Sequence, residues 1–238
     1  DRFILNGMEQ SGAALNRVAS FLDHVRQLAG LNRFAQVESN NNYPSGAGIA
    51  SSAAAFAALA VAASKAAGLE LSEVELSRLA RLGSGSACRS VPGGFAEWLP
   101  GSGDVDSYAV QIAPPEHWDL VDLIVVVDRS EKAVGSSAGH KLAETSPLQA
   151  LRIAGVPERL EQCRTAILTR DFEHLAQVVE LDSEWMHAVM RTSNPPLYYW
   201  KPATEVVLWN VRAWRAQGHA VCATVDAGPN VHVIALAE

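Results

Sequence analysis

The stretch PSGAGIASSAAAF, residues 44–56, carries little side-chain bulk and runs directly into an apolar helix. Its glycines allow positive φ and let the backbone approach a ligand closely. A helix start also offers free N–H groups and the positive end of a dipole, which together bind phosphate. We therefore predict that nucleotide phosphates lie against Gly46–Ser52, where Ser51 and Ser52 offer hydroxyls to phosphate oxygens or to a magnesium ion. A tight glycine turn before a packed helix is the alternative, because the stretch lacks the GK[ST] of a Walker loop.

Apolar residues at helical or strand spacing predict the elements around this stretch. Gly68 ends the alanine-rich helix, and Ser72 with Glu75 forms a capping box that begins the next one. The predicted helices of this half are 17–28, 52–67 and 72–82, and the predicted strands are 34–39, 93–98 and 108–112. The prolines of residues 113–118 indicate a boundary.

Beyond this boundary, the segment 120–128 is composed almost entirely of branched aliphatic residues, which is typical of a strand buried on both faces. Helices are predicted at 157–169, 172–190 and 204–217, and strands at 220–225 and 231–236. This succession of helices and strands predicts an α+β chain, long enough for one large domain or two of ordinary size.

The composition is that of a globular chain, with 238 residues of which 48% are hydrophobic and 19% charged. A net charge of -7 argues against nucleic acid as the main partner and leaves room for a local basic pocket. We expect neither a membrane span nor a signal peptide, because no apolar run is long enough and DRFILNG lacks a basic start. The odd and scattered Cys88, Cys163 and Cys222 suit reduced thiols in a cytosol, and the histidines show no metal-site spacing.

A second small-residue segment, RLGSGSACRSVPGG at 81–94, contains Ser84, Ser86 and Arg89. The Arg89 guanidinium can form a two-point pair with a carboxylate or a phosphate, although an exposed arginine is commonly a surface ion-pair residue. Two glycine–serine segments in one domain favour a cleft for an anionic ligand.

Two further segments, TVDAGPN at 224–230 and KAVGSSAGHKLAETSP at 132–147, offer polar groups after apolar strands. Asp226 precedes a Gly–Pro turn, so its carboxylate either starts an Asx turn or takes a proton from an attacking hydroxyl. Ser136, Ser137 and Lys141 are predicted to lie in a flexible loop, whose alternative is an ordinary solvated loop.

The motifs ESNNNYPSGAGIASSAAAFAAL, RLGSGSACRSVPGGFAEW, ETSPL and TVDAGPN together closely resemble those of diphosphomevalonate decarboxylases, in the GHMP kinase superfamily. The resemblance runs from DRFILNG to the last strand. It implies a two-domain α+β GHMP kinase fold, with a ribosomal S5 domain 2-like N-terminal half and a ferredoxin-like C-terminal half. The implied domains are 1–115, which binds ATP and lacks the family's opening strands, and 116–238.

The resemblance also implies a reaction. Mevalonate 5-diphosphate would be phosphorylated on its 3-hydroxyl by ATP with Mg²⁺, and would then lose phosphate and CO₂ to give isopentenyl diphosphate. The implied partner is a phosphorylated mevalonate, with no nucleic acid and no membrane, in a cytoplasmic enzyme of the mevalonate pathway that forms a homodimer.

Roles follow by motif from the same resemblance. Arg89 would grip the substrate carboxylate, Asp226 would orient or deprotonate the 3-hydroxyl, and Ser136 would line the phosphate path. Further substrate contacts would come from Ser84, Gly85, Ser86, Ser137 and His140. The nucleotide would be held by Ser39, Asn41, Pro44, Gly46, Ala47, Gly48, Ala50, Ser51 and Ser52, and Ser52 would also bind the metal.

The sequence departs from the family pattern in two ways. Family members normally begin with an additional segment that holds a strand and a lysine–tyrosine pair for the 5-phosphates, and a chain without it would have an unpaired sheet edge. His140 stands where relatives acting on the diphosphate usually carry methionine. A 5-monophosphate decarboxylase, a mevalonate-type GHMP kinase and a non-catalytic relative are therefore the alternative functions.

Overall fold

The structure, a computed structural model, describes residues 1–42, 49, 51–130, 134 and 136–237. Among these residues the chain divides into two compact units. The first contains 1–42 and 51–115, and the second contains residue 49 and the described residues from 116 onward. No helix within the described ranges is long and apolar enough to cross a membrane.

Three helices form the core of the first unit: α1 (Gly12–Ala29), α2 (Ser51–Ala66) and α3 (Glu73–Gly83). They meet at an apolar cluster in which the rings of Phe21 on α1 and Phe56 on α2 lie 5.4 Å apart. The predicted capping box is confirmed, since the Ser72 hydroxyl accepts from the Glu75 amide while the Glu75 carboxylate accepts from the Ser72 amide. Gly68 ends α2 at a φ of +74°, as predicted.

Five strands complete this unit. β1 (Arg2–Leu5) pairs antiparallel with β2 (Met8–Gln10) and parallel with β3 (Gln36–Ser39), and β4 (Phe95–Leu99) pairs antiparallel with β5 (Tyr108–Ala113). The first two strands are absent from the sequence prediction. They are joined by Asn6 and Gly7, both at positive φ, which is the turn chemistry of a tight hairpin.

The second unit combines one three-stranded sheet with five helices. β6 (Leu120–Val125), β8 (Val231–Leu236) and β7 (Val221–Val225) lie in that order, all antiparallel. The helices are α4 (Ser136–Ala143), α5 (Gln149–Ala154), α6 (Val156–Thr169), α7 (Phe172–Arg191) and α8 (Pro202–Ala216). Leu208 and Val211 of α8 pack on the valines of β7 and β8 to form the core.

The prediction that the strand at 120–128 is buried on both faces is wrong. β6 lies at an edge of the sheet, pairs only with β8 among the described strands, and exposes 61% of Leu123 and 41% of Ile124. Branched aliphatic residues are favoured in any strand because they fit a pleated backbone, so the composition reported strand propensity rather than burial.

The prediction of a flexible loop at 132–147 is also wrong for its central part, which forms the helix α4. Gly139 is buried in this helix, and a β-carbon there would come within 2.7 Å of the Tyr199 hydroxyl oxygen. A side chain at residue 139 would require Tyr199 to shift, and the glycine weakened the helical pattern in the sequence.

Candidate active site

The two glycine–serine segments of the first unit meet at a pair of hydroxyls. Ser52, in the first turn of α2, lies 3.2 Å from Ser84, which follows the last residue of α3 (Oγ to Oγ). The first turn of α2 contains no acidic side chain, so the positive end of its dipole is not neutralised locally. The N-terminus of α2 and the end of α3 therefore form one polar surface with anion-binding character.

Close packing at Gly83 holds these helix ends together. A β-carbon at Gly83 would lie 2.0 Å from the Phe56 ring, so only glycine lets α3 approach α2 here. Arg17 of α1 donates to the Gly83 carbonyl at 2.8 Å, and its guanidinium carbon lies 4.7 Å from the centre of the same Phe56 ring. The position of Ser84 is thus set from three helices.

The 3₁₀ helix Gly85–Ser90 carries the remaining predicted substrate-binding residues of this unit. It is anchored by Ser77 of α3, which is fully buried. The Ser77 hydroxyl donates to the Cys88 carbonyl at 3.0 Å and accepts from the Ala109 amide of β5 at 2.8 Å. A single hydroxyl therefore ties the 3₁₀ helix to both neighbours.

Arg89 projects from this 3₁₀ helix as an exposed cation. Its guanidinium carbon lies 5.8 Å from the centre of the Trp98 ring, which limits the range of its side chain. Trp98 also contacts Gly85, where a β-carbon would lie 3.5 Å from the indole, and donates from its ring nitrogen to the Ser107 hydroxyl at 3.0 Å. Trp98 therefore lies against both Gly85 and Arg89, the first residue of the 3₁₀ helix and the predicted carboxylate-binding residue.

Ser39 ends β3 and Asn41 lies two residues beyond it, and both are positioned by the hairpin at Asn6. The Asn6 amide donates to the Ser39 carbonyl at 2.9 Å, and the Asn6 side-chain oxygen accepts from the Asn41 amide at 2.7 Å. The segment that leads to the predicted phosphate loop is thus ordered by its neighbour strand. The predicted residues Pro44, Gly46, Ala47, Gly48 and Ala50 lie outside the described residues.

In the second unit, Asp226 directly follows β7 and is exposed. Its carbonyl accepts from the Gly228 amide at 2.8 Å, which closes a tight turn. Gly228, Pro229 and Asn230 are buried behind it, and the Thr204 hydroxyl donates to the Pro229 carbonyl at 2.6 Å. The predicted geometry of a carboxylate at a strand end, held by a Gly–Pro turn, is therefore present.

The outer edge of β7 is bound by polar side chains of α7 instead of a further strand. Glu180 accepts from the Ala223 amide at 3.3 Å, and Ser183 accepts from the Val225 amide at 3.1 Å. His187 donates from Nε2 to the Val225 carbonyl at 2.9 Å. Burial lowers the pKa of His187 to about 4, so the ring is neutral at neutral pH.

A second histidine, His232 of β8, lies on the opposite face of the sheet from the valine core. Its Nδ1 lies 2.9 Å from the Asp122 carboxylate of β6, and this hydrogen bond raises the pKa of His232. Burial opposes the rise, and the negative charge of Asp226 adds to it. The carboxylate of Asp226 and the ring of His232 therefore act on each other electrostatically.

The side-chain amide of Asn230 joins the Asp226 turn to the end of β6. Its oxygen accepts from the amides of Val127 at 2.8 Å and Asp128 at 2.9 Å, and its nitrogen donates to the Asp128 carbonyl at 3.0 Å. Lys201 forms an ion pair with the Asp128 carboxylate, and this contact lowers the pKa of Asp128 well below its usual range.

The helix α4 carries the other predicted residues of this unit, and its last residue packs into an apolar cluster. Ala143, at the end of α4, and Ala227, next to Asp226, both belong to a cluster built around Tyr199. His140 is exposed on α4. The side chains of Ser136 and Ser137 lie outside what the structure describes, so their predicted roles stay predictions.

Two family models cover most of the chain. The diphosphomevalonate decarboxylase-like N-terminal domain matches residues 1–109, and the mevalonate 5-diphosphate decarboxylase C-terminal domain matches residues 122–238. A protein named MDDEF, solved in complex with MVAPP, AMPPCP and magnesium, is 43% identical with a TM-score of 0.93, over 99% of this chain and 73% of that one. The mevalonate diphosphate decarboxylase of Staphylococcus aureus is 40% identical with a TM-score of 0.94, over 99% and 72%. The chain belongs to the diphosphomevalonate decarboxylase family.

Curated members of the diphosphomevalonate decarboxylase family extend the likeness. That of Ganoderma lucidum is 40% identical over 94% of this chain and 56% of its own length, and that of Homo sapiens is 37% identical over 99% and 63%. The chain thus spans less than two thirds of these relatives. The solved relatives confirm the predicted two-domain α+β GHMP kinase fold. The domain limits and the site residues stay predictions.

The first unit of this chain offers donors that fit a nucleotide. The N-terminus of α2 lacks an acidic residue in its first turn, and the hydroxyls of Ser52 and Ser84 lie side by side. Hydroxyl oxygens suit magnesium, which binds few protein ligands and shares the substrate's phosphates. Within the described residues no cluster of three or more His, Cys, Asp or Glu side chains could hold a metal alone. These donors therefore fit magnesium bound together with ATP.

Sequence reasoning missed several residues that support the predicted site residues. Trp98 contacts Arg89, Ser77 binds the backbone of Cys88 next to Arg89, and Ser183 and His187 bind the backbone of Val225 next to Asp226. Asn230 holds the turn after Asp226 to the chain that follows β6. Two of them carried a signal, because Asn230 ends the TVDAGPN motif and Trp98 ends the RLGSGSACRSVPGGFAEW motif. The others lie on helix or strand faces where their residue types are common, and only the fold brings them to the site.

Proposed function

We propose that the protein catalyses the ATP-dependent decarboxylation of mevalonate 5-diphosphate to isopentenyl diphosphate, with ADP, phosphate and CO₂ as the other products. The observation that carries this proposal is the likeness, over 99% of the chain, to a protein solved with MVAPP, AMPPCP and magnesium. We further propose a cytoplasmic homodimer in the mevalonate pathway, with 1–115 as the ATP-binding domain and 116–238 as the C-terminal domain.

Binding follows from charge and donor placement. The N-terminus of α2, with Ser51 and Ser52, would receive the ATP phosphates, and Ser39 and Asn41 would lie near the nucleotide. The Arg89 guanidinium would pair with the substrate carboxylate through two parallel hydrogen bonds. Magnesium, when bound at Ser52, would neutralise phosphate charge.

The chemistry requires positioning more than covalent catalysis. The 3-hydroxyl oxygen would attack the γ-phosphorus of ATP while Asp226 orients that hydroxyl and takes its proton. The electrons of the bond to the carboxylate carbon would then form the new double bond as the 3-phosphate leaves. Arg89 would hold the carboxylate until this departure, so phosphorylation precedes the loss of CO₂.

The test is incubation of the chain with ATP, magnesium and mevalonate 5-diphosphate, with CO₂, ADP and phosphate measured together. We expect Asp226→Asn to lower kcat by a factor on the order of 10² to 10⁴. Asp171→Asn is the matched control, because it removes a carboxylate at the start of α7 while Asn keeps the cap on the His174 amide, and it should leave kcat within about twofold. Near-normal turnover of Asp226→Asn would show that the carboxylate is structural.

Arg89→Lys separates the two steps. The variant keeps the positive charge and loses the planar two-point contact, so we expect higher KM and lower kcat for CO₂ release. Because phosphorylation comes first, this variant should still consume some ATP. A parent chain that accumulates a stable 3-phosphate without CO₂ would be a kinase, and one that consumes no ATP would be a non-catalytic relative.

The substrate's 5-phosphate state is tested in parallel. His140 is exposed on α4 at the position where diphosphate-specific relatives usually carry methionine, so a decarboxylase of the 5-monophosphate is the second candidate. A higher kcat/KM for mevalonate 5-phosphate than for the 5-diphosphate would establish this second candidate and replace the first.

A further inference from the structure

The peptide that leads into Asp226 is bound by side chains on its outer side. Val225 is the last residue of β7, and its amide and carbonyl point toward α7 rather than into the sheet. Ser183 accepts from the Val225 amide at 3.1 Å and also reaches the Val225 carbonyl at 3.4 Å. His187 donates to the same carbonyl at 2.9 Å, so this carbonyl has two donors.

The His187 ring has little freedom to move. It is 2% exposed, and its centre lies 4.9 Å from the Trp200 ring and 6.1 Å from the Tyr199 ring. The backbone carbonyl of His187 also accepts from the Arg191 guanidinium at 3.2 Å. Since a carbonyl oxygen can only accept, the ring nitrogen that faces Val225 carries the proton.

Holding the Val225 carbonyl also holds the amide nitrogen of Asp226, because the two belong to one planar peptide group. On the other side, the Asp226 carbonyl is held by the Gly228 amide, and Thr204 holds the Pro229 carbonyl. The backbone of Asp226 is thus fixed at both ends. Its carboxylate direction is then set by the side-chain rotamer alone.

We propose that His187 is a positioning residue that holds the peptide before Asp226 and thereby aims the Asp226 carboxylate at the substrate hydroxyl. The inference rests on the proposed function for the part played by Asp226, and on the contacts above for the part played by His187. Glu180 and Ser183 already cover the β7 edge, so the bond from His187 adds restraint at the residue next to the carboxylate. Errors of about 1 Å in such positioning can lower turnover on the order of 10²-fold.

The test compares two variants of His187 that place the same amide donor at different positions. His187→Gln puts an amide donor near the position of Nε2, whereas His187→Asn puts it nearer that of Nδ1. We expect His187→Asn to lower kcat for CO₂ release about 10- to 100-fold with the KM for ATP little changed, and His187→Gln to retain most of the activity. Equal activities in the two variants would overturn the proposal.

The matched control is His117, whose Nε2 lies 2.8 Å from the Ile167 carbonyl of α6, away from the Asp226 turn. His117→Asn should leave kcat within about twofold. In an Asp226→Asn background, His187→Asn should lower kcat little further, because its effect passes through the missing carboxylate. The same fold-loss in both backgrounds would mean that His187 acts only on stability, and would overturn the proposal.

A second measurement does not depend on turnover. The ¹⁵N order parameter of the Asp226 amide should lie near about 0.85 in the parent chain and fall below about 0.6 in His187→Asn, with His187→Gln near the parent. If the parent chain releases no CO₂ and the order parameter still falls in His187→Asn, the proposed function would be rejected and the positioning of Asp226 by His187 would be supported. An unchanged order parameter in His187→Asn would overturn the inference in either case.

Discussion

The two edges of the sheet in the second unit are finished by opposite means. On the β7 edge, Glu180, Ser183 and His187 of α7 satisfy the outward backbone groups, and all three contacts are at least partly buried. On the β6 edge, the apolar side chains of Leu123 and Ile124 are exposed, and no described strand pairs beyond them. The β7 edge is therefore held by buried polar groups, whereas the β6 edge shows only the residue preferences of a strand.

The difference between the two edges indicates where the backbone must be held in a single arrangement. Buried polar groups are favourable only when each finds its partner, so they specify a single arrangement of helix and strand. The β7 edge leads directly to Asp226, where a fixed backbone matters for the proposed chemistry. The strand β6 carries no predicted site residue, and its branched aliphatic residues favour only the pleated backbone of a strand.

The largest expected effect is the pH dependence that His187 gives to the β7 edge. Burial lowers the pKa of His187 to about 4, whereas it is about 6.5 in an unfolded chain, a difference of about 3 kcal/mol. The unfolded chain binds the proton more tightly, so this stability is complete above about pH 6.5 and is lost as the pH falls toward about 4. Urea unfolding across this window should show the loss, and His187→Gln should reduce it. An equal slope in the variant would contradict this origin.

The next effect is the loss of one hydroxyl from the same edge. Ser183→Ala leaves the Val225 amide without its acceptor in a buried place, and we expect a loss of about 2 kcal/mol in unfolding free energy. The control on the opposite edge is Val121→Thr, an exposed change of similar size that should stay within about 0.5 kcal/mol. Equal losses in the two variants would mean that the two edges do not differ in this respect.

A change at the β6 edge should alter the association of the chain rather than its stability. Leu123→Lys places a charge on an exposed apolar strand, so concentration-dependent scattering should fall while the unfolding free energy changes by less than about 0.5 kcal/mol. Trp209→Lys is the control, since Trp209 of α8 is 69% exposed and lies on a helix. A fall in scattering with Trp209→Lys alone would place the association surface on α8.

The smallest effect concerns the ion pair between Asp122 of the edge strand β6 and His232 of the central strand β8. Asp122 is half exposed, and its bond raises the pKa of His232. That stability is therefore present below about pH 6.5 and is lost as the pH rises through the folded pKa, opposite in sign to His187. Asp122→Asn should lower the His232 pKa in an NMR titration. An unchanged titration would show that the raised pKa has another cause.

Local patterns predicted much of the fold, and long-range contacts explain the rest. Ser72 with Glu75 set the start of α3, and Phe21 and Val25, four residues apart at helical spacing, lie on the buried face of α1. Burial of β6 could not be read from its composition, because propensity and burial favour the same residues there. His187 lies 38 residues before its partner Val225, so no local pattern joins them.

The candidate site divides in the same way. Arg89 and Asp226 stand in short motifs rich in glycine and serine or proline, and such motifs are visible in sequence because their backbone needs special residues. Their supports lie on regular elements, such as Trp98 of β4 beneath Arg89 and His187 of α7 beside the Asp226 peptide. Their roles arise from tertiary contacts alone.

Asn230 has a consequence for the ageing of the protein. Its amide both accepts from the backbone after β6 and donates to the Asp128 carbonyl. Deamidation would replace that donor with a carboxylate oxygen facing a carbonyl and would add a negative charge in a fully buried place. Because the native bonds immobilise the amide, the folded chain should protect Asn230 from deamidation. A deamidated chain carries an added negative charge, so ion-exchange chromatography should separate it from an intact chain.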